Sequence, residues 1–421
     1  LNRIKIVNGK ILTPFRIIEN GTLLVENGEI AYQGPEAVEA CDCRVIDAGG
    51  NYVSPGFIDI HTHGGGGFDF MDGTAEAYAG AAKAHALHGT TSIVATTLTS
   101  TNEELKKTFQ VFKEAKGRNE NGADFIGLHL EGPYFSINMK GAQDPRYIRN
   151  PDPAEYEEIL EWSDDIVRWC AAPELPGAVE FGRCLKKRGI LASIAHTDAI
   201  HEKVEEAFEN GFTHITHLYS CTSGVTRINS YRYAGVIESA FLLDEMTVEI
   251  IADGCHLPQS LLKLVYKIKG PDRIALVSDS MRGAGMPEGE SILGSLQNGK
   301  KVIIEDGVAK MPDRTSFAGS VATADRLVRT MVKVAGVPVA EAVRMMTSTP
   351  ARIIGVDRDR GSLSVGKRAD IVIFDEEINI RMTMIKGKVV KGDGQTGADP
   401  GTIRMDAVPA GKIPVQDNRI C

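Results

Sequence analysis

The sequence predicts an α/β fold: a (β/α)8 TIM-type barrel joined to a small β-sandwich domain built from both chain ends. Two observations predict the barrel. Eight short apolar runs, at 57–60, 92–95, 125–130, 166–171, 191–194, 214–217, 247–251 and 274–278, recur at a spacing that leaves room for crossover helices. Helical patterns fill several of the gaps, for example 74–88, 102–115 and 177–188. A third observation predicts the second domain. Residues 1–54 alternate apolar and polar, and the same texture returns at 370–374, 381–385 and 388–390.

These patterns divide the chain into 1–54 (small β domain), 55–362 (barrel) and 363–421 (the rest of the small domain and a tail). A chain of 421 residues is too long for one ordinary core but fits this division. Asn8-Gly9, Asn20-Gly21 and Asn27-Gly28 are hairpin signals, and Lys386-Gly387 is a turn. The polar, Gly- and Pro-containing segment 392–421 is expected to be a tail or strap.

Composition excludes several classes. A formal net charge of −9 argues against a nucleic-acid partner or an anionic membrane surface, which need a basic face. No run approaches the roughly 20 apolar residues of a membrane span, and no leader is expected. Seven cysteines cannot all pair internally. Cys41 and Cys43 have no second Cys/His pair nearby and read as reduced thiols. A cytoplasmic location follows as the expectation.

The polar residues of interest fall at the C-terminal ends of the predicted strands, where barrels place their active sites. After the first strand comes His61-Thr62-His63, whose two imidazoles point the same way in extended chain and suit one metal. Asp59 shares their parity and is a candidate supporting partner. The third strand ends in His129-Leu130-Glu131-Gly132-Pro133, the fifth in Ala195-His196-Thr197-Asp198, the sixth in His214-Ile215-Thr216-His217 and the eighth in Val277-Ser278-Asp279-Ser280. Such groups around one rim are costly unless paired or metal-bound, so a metal site is predicted.

His214 and His217 have opposite parity. His217 is the expected ligand because it ends the strand, and His214 is expected to face the helices. His85, His88 and His201 read as structural. His129 fits either a supporting or a structural role. His256, in the loop after the seventh strand, is a substrate-contact candidate.

His61-Thr62-His63, followed by the Gly-rich run 64–73, resembles the amidohydrolase superfamily, and more narrowly its amino-sugar-phosphate deacetylases. The strand-three and strand-five endings match as well, and so do segments 216–218, 251–256, 277–279, 318–320 and 361–370, in family order over nearly the whole chain. The resemblance implies metal-dependent hydrolysis of the N-acetyl group of N-acetylglucosamine-6-phosphate, or a close N-acetyl-hexosamine phosphate, to acetate and amino-sugar phosphate. It makes Glu131, His196 and His217 the core metal ligands, with His61 and His63 completing a second position and Glu131 bridging. One or two divalent ions (Zn, Fe or Mn) are implied. Asp279 becomes the acid/base, His256 a substrate contact, and the loop at Gly319 a holder of the acyl group.

Some positions depart from the family pattern. Ser220, Cys221 and Thr222 replace an Asn-Ala-Met, and Gln143 stands where some members have a substrate-binding His. The phosphate-binding Arg motif is absent as such, leaving Arg227 and Arg232 as its nearest substitutes. A homodimer is expected, since in some members that arginine comes from the neighbouring subunit. The competing readings are an amidohydrolase acting on N-acyl amino acids or cyclic amides, and a non-catalytic binding scaffold.

Overall fold

The computed structural model describes residues 3–36, 38, 39, 42–392, 395, 396 and 402–404. All eight predicted barrel strands are present in one parallel sheet. In chain order they are Phe57–Thr62, Thr90–Thr97, Asp124–Glu131, Ile166–Ala171, Leu191–Ile194, Phe212–Ile215, Thr247–Ile250 and Ile274–Leu276, each beside the next. The last strand returns to the first. Asp279 donates its backbone N–H to His61 O at 2.9 Å, and His63 N–H reaches Ser280 O at 2.9 Å. Ile58 and Ile60 share one buried cluster with Ala275 and Val277 across that seam.

The helices between the strands start where their side chains can cap them. Thr74 accepts from Ala77 N ahead of Ala75–Ala86, and Thr101 from Glu104 N ahead of Asn102–Arg118. Asp152 caps Pro153–Trp162, whose first residue is a proline with no N–H to satisfy. The faces they bury join the large core that holds Phe112, Phe125, Trp169, Phe181 and Phe212. No helix among the described residues is long and apolar enough to cross a membrane.

The two chain ends share one ten-stranded sheet. Its seam is the antiparallel pair Tyr52–Pro55 with Ile371–Phe374, and its core includes Ile4, Leu23, Ile46, Val53, Ile373 and Met384. Asn27-Gly28 and Lys386-Gly387 are two-residue turns with positive φ at both positions, as the sequence suggests. The other two Asn-Gly pairs are not turns. Asn8 and Asn20 also have positive φ, but they lie inside facing strands, where Gly9 opposes Gly21 between register shifts. They are bulges. The hairpin instead turns at 13–16. A Cβ on Gly9 would come within 2.4 Å of Val53 Cγ2, which explains the glycine.

Of the segment 392–421, Gln395–Thr396 and Thr402–Arg404 pair with each other, and the second also pairs with Arg44–Asp47. The remaining residues of that segment after 392, and Cys41, lie outside the described residues.

Candidate active site

At the C-terminal rim of the barrel two donor groups face each other. Glu131, His196 and His217 form one, and His61, His63 and Asp279 the other. Glu131 Oε1 lies 3.2 Å from both His196 Nε2 and His217 Nε2 and 3.6 Å from His61 Nε2. Its other oxygen is 3.3 Å from His63 Nε2. Asp279 Oδ1 is 3.2 Å from His63 Nε2 and 3.4 Å from His61 Nε2. The carboxylate of Glu131 thus stands between the two groups.

The donor set fits a divalent cation. Imidazole and carboxylate are its common ligands. His61 Nε2 is buried, has no hydrogen-bond partner and points into this cluster. Burial would raise the Glu131 carboxyl, but hydrogen bonds from His196, His217 and His63 hold it well below its ordinary value. Burial would lower His63, yet Asp279 and Glu131 raise it well above its own.

The local backbone is unusual at three of these residues. His196 has φ 46°, His217 φ 27° and Asp279 φ 44°. Non-glycine residues seldom adopt such values, and their occurrence at three strand ends marks strain held at a functional rim. It also corrects the parity argument for the sixth strand. That strand stops at Ile215, and the turn at His217 swings its imidazole inward. His214 does not face the helices. It is wholly buried inside the barrel, with Nδ1 2.8 Å from Thr247 Oγ1 and Nε2 3.3 Å from Glu249 Oε2.

The remaining histidines are distributed as follows. Asp59 accepts from the backbone N–H of His61 and of Ser278, not from an imidazole, and burial pushes its carboxyl up to about 6. His129 packs edge-on against His61, 4.7 Å between ring centroids, and burial pushes its imidazole well below the ordinary value. His85 holds Gly64 O at 2.9 Å, and His88 faces Asp325 at 3.2 Å. His201 opens a helix.

A cavity of about 220 Å³ opens onto both donor groups. His256, Gln143, Ser220, Cys221 and Gly319 line it. His256 is held by Asp253 at 2.8 Å and packs at a tilt against Phe317, 4.9 Å between ring centroids, which also lines the cavity. Gln143 is committed at both ends of its amide: Oε1 accepts from Thr99, and Nε2 donates to Glu131. Gly141 (φ 54°) lies so close that a Cβ there would meet Cys221 Sγ at 2.7 Å. A larger cavity of about 400 Å³ lies next door and shares Leu98, Ala142, Gln143 and Leu293, but it contains none of the ligand groups.

Arg227 and Arg232 are not among the cavity residues. They face each other across a small hairpin, Thr226–Ile228 with Tyr231–Tyr233, and both are exposed. Thr222 and Ser223 are turned into the protein, to Tyr219 N and Ala199 O.

Sequence reasoning missed Glu249 and Arg168, which lie wholly buried beneath the centre and touch each other. The signal was available: each is a charged residue inside an otherwise apolar barrel strand.

The amidohydrolase family model matches residues 52–390. The N-acetylglucosamine-6-phosphate deacetylase of Vibrio furnissii is 33% identical over 370 residues, 87% of this chain and 89% of its own. The N-acetylgalactosamine-6-phosphate deacetylase of Escherichia coli O157:H7 is 31% identical, covering 90% and 97%. The crystal structure of N-acetylglucosamine-6-phosphate deacetylase from Pasteurella multocida superposes with a TM-score of 0.85 at 30% identity, covering 92% of this chain and 99% of that one.

Proposed function

This chain belongs to the amidohydrolase family, and on that premise we propose that it removes the acetyl group of N-acetylglucosamine-6-phosphate or a close N-acetyl-hexosamine phosphate. The products are acetate and the amino-sugar phosphate. The observation that carries this reading is the convergence of two donor groups on one cavity floor, in a chain similar over most of its length to deacetylases of such sugars.

Glu131, His196 and His217 would hold one divalent ion, and His61 and His63 would complete a second position. A Zn²⁺, Fe²⁺ or Mn²⁺ ion there would supply an acidified water near neutral pH and a polarised acetyl carbonyl. Asp279 is the acid/base. Its carboxylate takes a proton from the attacking water as the water oxygen adds to the carbonyl carbon. It then gives that proton to the amide nitrogen as the C–N bond breaks. His256, steadied by Asp253, orients the sugar. The cavity wall at Ser220, Cys221 and Gly319 seats the sugar and its acyl group. Gln143 acts from the same wall by holding Glu131.

A sugar phosphate brings about two negative charges to a chain of net charge −9, so it needs local donors. An arginine suits it because the guanidinium fork makes paired bonds to phosphate oxygens. Arg227 and Arg232, exposed on their hairpin, support a phosphate contact made across a homodimer. A cytoplasmic location is consistent with the free thiols of Cys170, Cys184, Cys221 and Cys255.

The test is a panel of N-acetylated gluco-, galacto- and mannosamine, each with and without the 6-phosphate, scored for acetate release. Turnover of N-acyl amino acids or cyclic amides in preference to every sugar would overturn the reading.

A further inference from the structure

Beneath the rim, one carboxylate touches both donor groups. Glu249 Oε1 accepts from His61 Nδ1 at 2.6 Å and from the backbone N–H of His217 at 3.1 Å. Its other oxygen accepts from Arg168 Nη1 at 2.5 Å. Arg168 is itself fixed at two other strands and the residue that follows a third: Nε donates to Ser193 Oγ (3.0 Å), Nη1 to Ile60 O (3.2 Å) and Nη2 to Thr216 Oγ1 (2.8 Å). Both side chains are wholly buried.

Such a pair is expensive. Taking two charges out of water costs several kcal/mol per ion, and apolar residues of similar volume often stabilise as well or better. The pair therefore needs a reason other than stability. His61 supplies one. A proton on Nδ1, donated to Glu249, leaves the Nε2 lone pair free, and Nε2 is the buried atom with no partner that points at Glu131 and Asp279. The Nδ1 atoms of His63 and His217 have no such clamp among the described residues, and that of His196 meets the carbonyl of Met139, not a carboxylate. Charge gives a second reason. A lone guanidinium under a cation centre would repel the ions, and Glu249 lies against it and cancels its charge.

We propose that Glu249, held by Arg168, is a positioning residue that turns His61 into a ligand and couples the two ion positions, so that this chain loads two ions and the His61 position depends on Glu249. The inference rests on the ligand assignment made above for the deacetylase reading.

The experiment counts ions in the full chain by elemental analysis and measures stepwise Zn²⁺ affinity against a competing chelator. The parent should hold two ions per chain. The double variant R168M/E249L removes the buried charges together, and its thermal unfolding shows whether the fold survives. It should hold one ion. Glu249→Gln, which keeps an acceptor for His61, should keep both positions but weaken the looser one about 10- to 100-fold, the range typical of such supporting groups. If the double variant fails to fold, the Glu249→Gln affinity alone decides.

A parent with one ion overturns the proposal, as does parent-like loading in the double variant or unchanged affinity in Glu249→Gln. Acetate release separates the two ideas. A parent that loads two ions in a Glu249-dependent manner but deacetylates no sugar sinks the deacetylase reading and leaves this one standing.

Discussion

Gln143 donates its side-chain amide to Glu131 Oε2 across 2.7 Å, and Thr99 grips the other end of the same amide through its backbone N–H (3.0 Å) and hydroxyl (2.8 Å). The carboxylate shared by both donor groups is therefore set at one fixed angle by a neutral side chain in the wall between two cavities. Gln143→Ala should loosen Glu131 and lower ion affinity and kcat/KM together, by about 10- to 100-fold. Titration with Zn²⁺ and acetate release check this. A fall in KM-dependent terms alone, with ion affinity unchanged, would mean that Gln143 serves the sugar and not the carboxylate.

On the proposed reading Asp279 moves a proton between water and the amide nitrogen. Asp279→Asn keeps the size of the side chain and removes the base. Turnover should fall by about 10²- to 10⁴-fold, with an ion retained on Glu131, His196 and His217. Near-parental kcat with full ion content would move proton transfer to another group.

Arg227 and Arg232 lie opposite each other on an exposed hairpin, a like-charge pairing that a sheet does not favour by itself. An anion placed between or beside them relieves it. Replacing the phosphate-binding arginine by Ala should reduce kcat/KM for the 6-phosphorylated sugar far more than for the free sugar. If the contact crosses a dimer, mixing Arg227→Ala or Arg232→Ala chains with Asp279→Asn chains should restore activity in the heterodimer. Equal losses on both sugars would end the phosphate assignment while leaving the amide chemistry in place.

Asp124 opens the third barrel strand and joins it to the small domain through Arg368 at 2.7 Å and Lys386 at 3.1 Å, with Arg360 of the barrel segment also at 3.1 Å. Burial pulls its carboxyl upward, but these cations prevail and hold it at about 2, below its usual 3.8. A depressed folded value means that the stabilisation is complete above pH ~4 and is lost as the pH falls towards 2. Asp124→Asn should cost roughly 1–2 kcal/mol at pH 7 and almost nothing near pH 2. Denaturant midpoints of both proteins across that window check this. A constant difference at every pH would show that charge is not the cause.

The barrel was legible because its strands are short apolar runs, several of them ending in or followed within three residues by a polar group of the rim, as with Glu131 and Asp279. Side-chain direction was less legible. Alternation predicts it only while the chain stays extended, and the left-handed turns at His196, His217 and Asp279 break that rule where it matters most. His214 was misplaced for this reason. Asn8-Gly9 and Asn20-Gly21 announced positive φ correctly, but positive φ serves a bulge as well as a hairpin. Glu249 and Arg168 were passed over because their partners are 81 residues apart in sequence and meet only when the barrel closes.

The seam between Tyr52–Pro55 and Ile371–Phe374 also has a consequence in time. From Pro55 to Ile371 the chain advances 371 − 55 = 316 residues. At a synthesis rate of roughly 5–20 residues per second, the first strand waits about 16 to 60 s on the ribosome for its neighbour. Throughout that interval one edge of Tyr52–Pro55 can pair with Lys10 and Ile11, while the edge that later meets Ile371–Phe374 waits for its neighbour. The nascent chain thus carries one open strand edge at 52–55 while the barrel segment is being made, and that edge is where premature pairing with another chain would start.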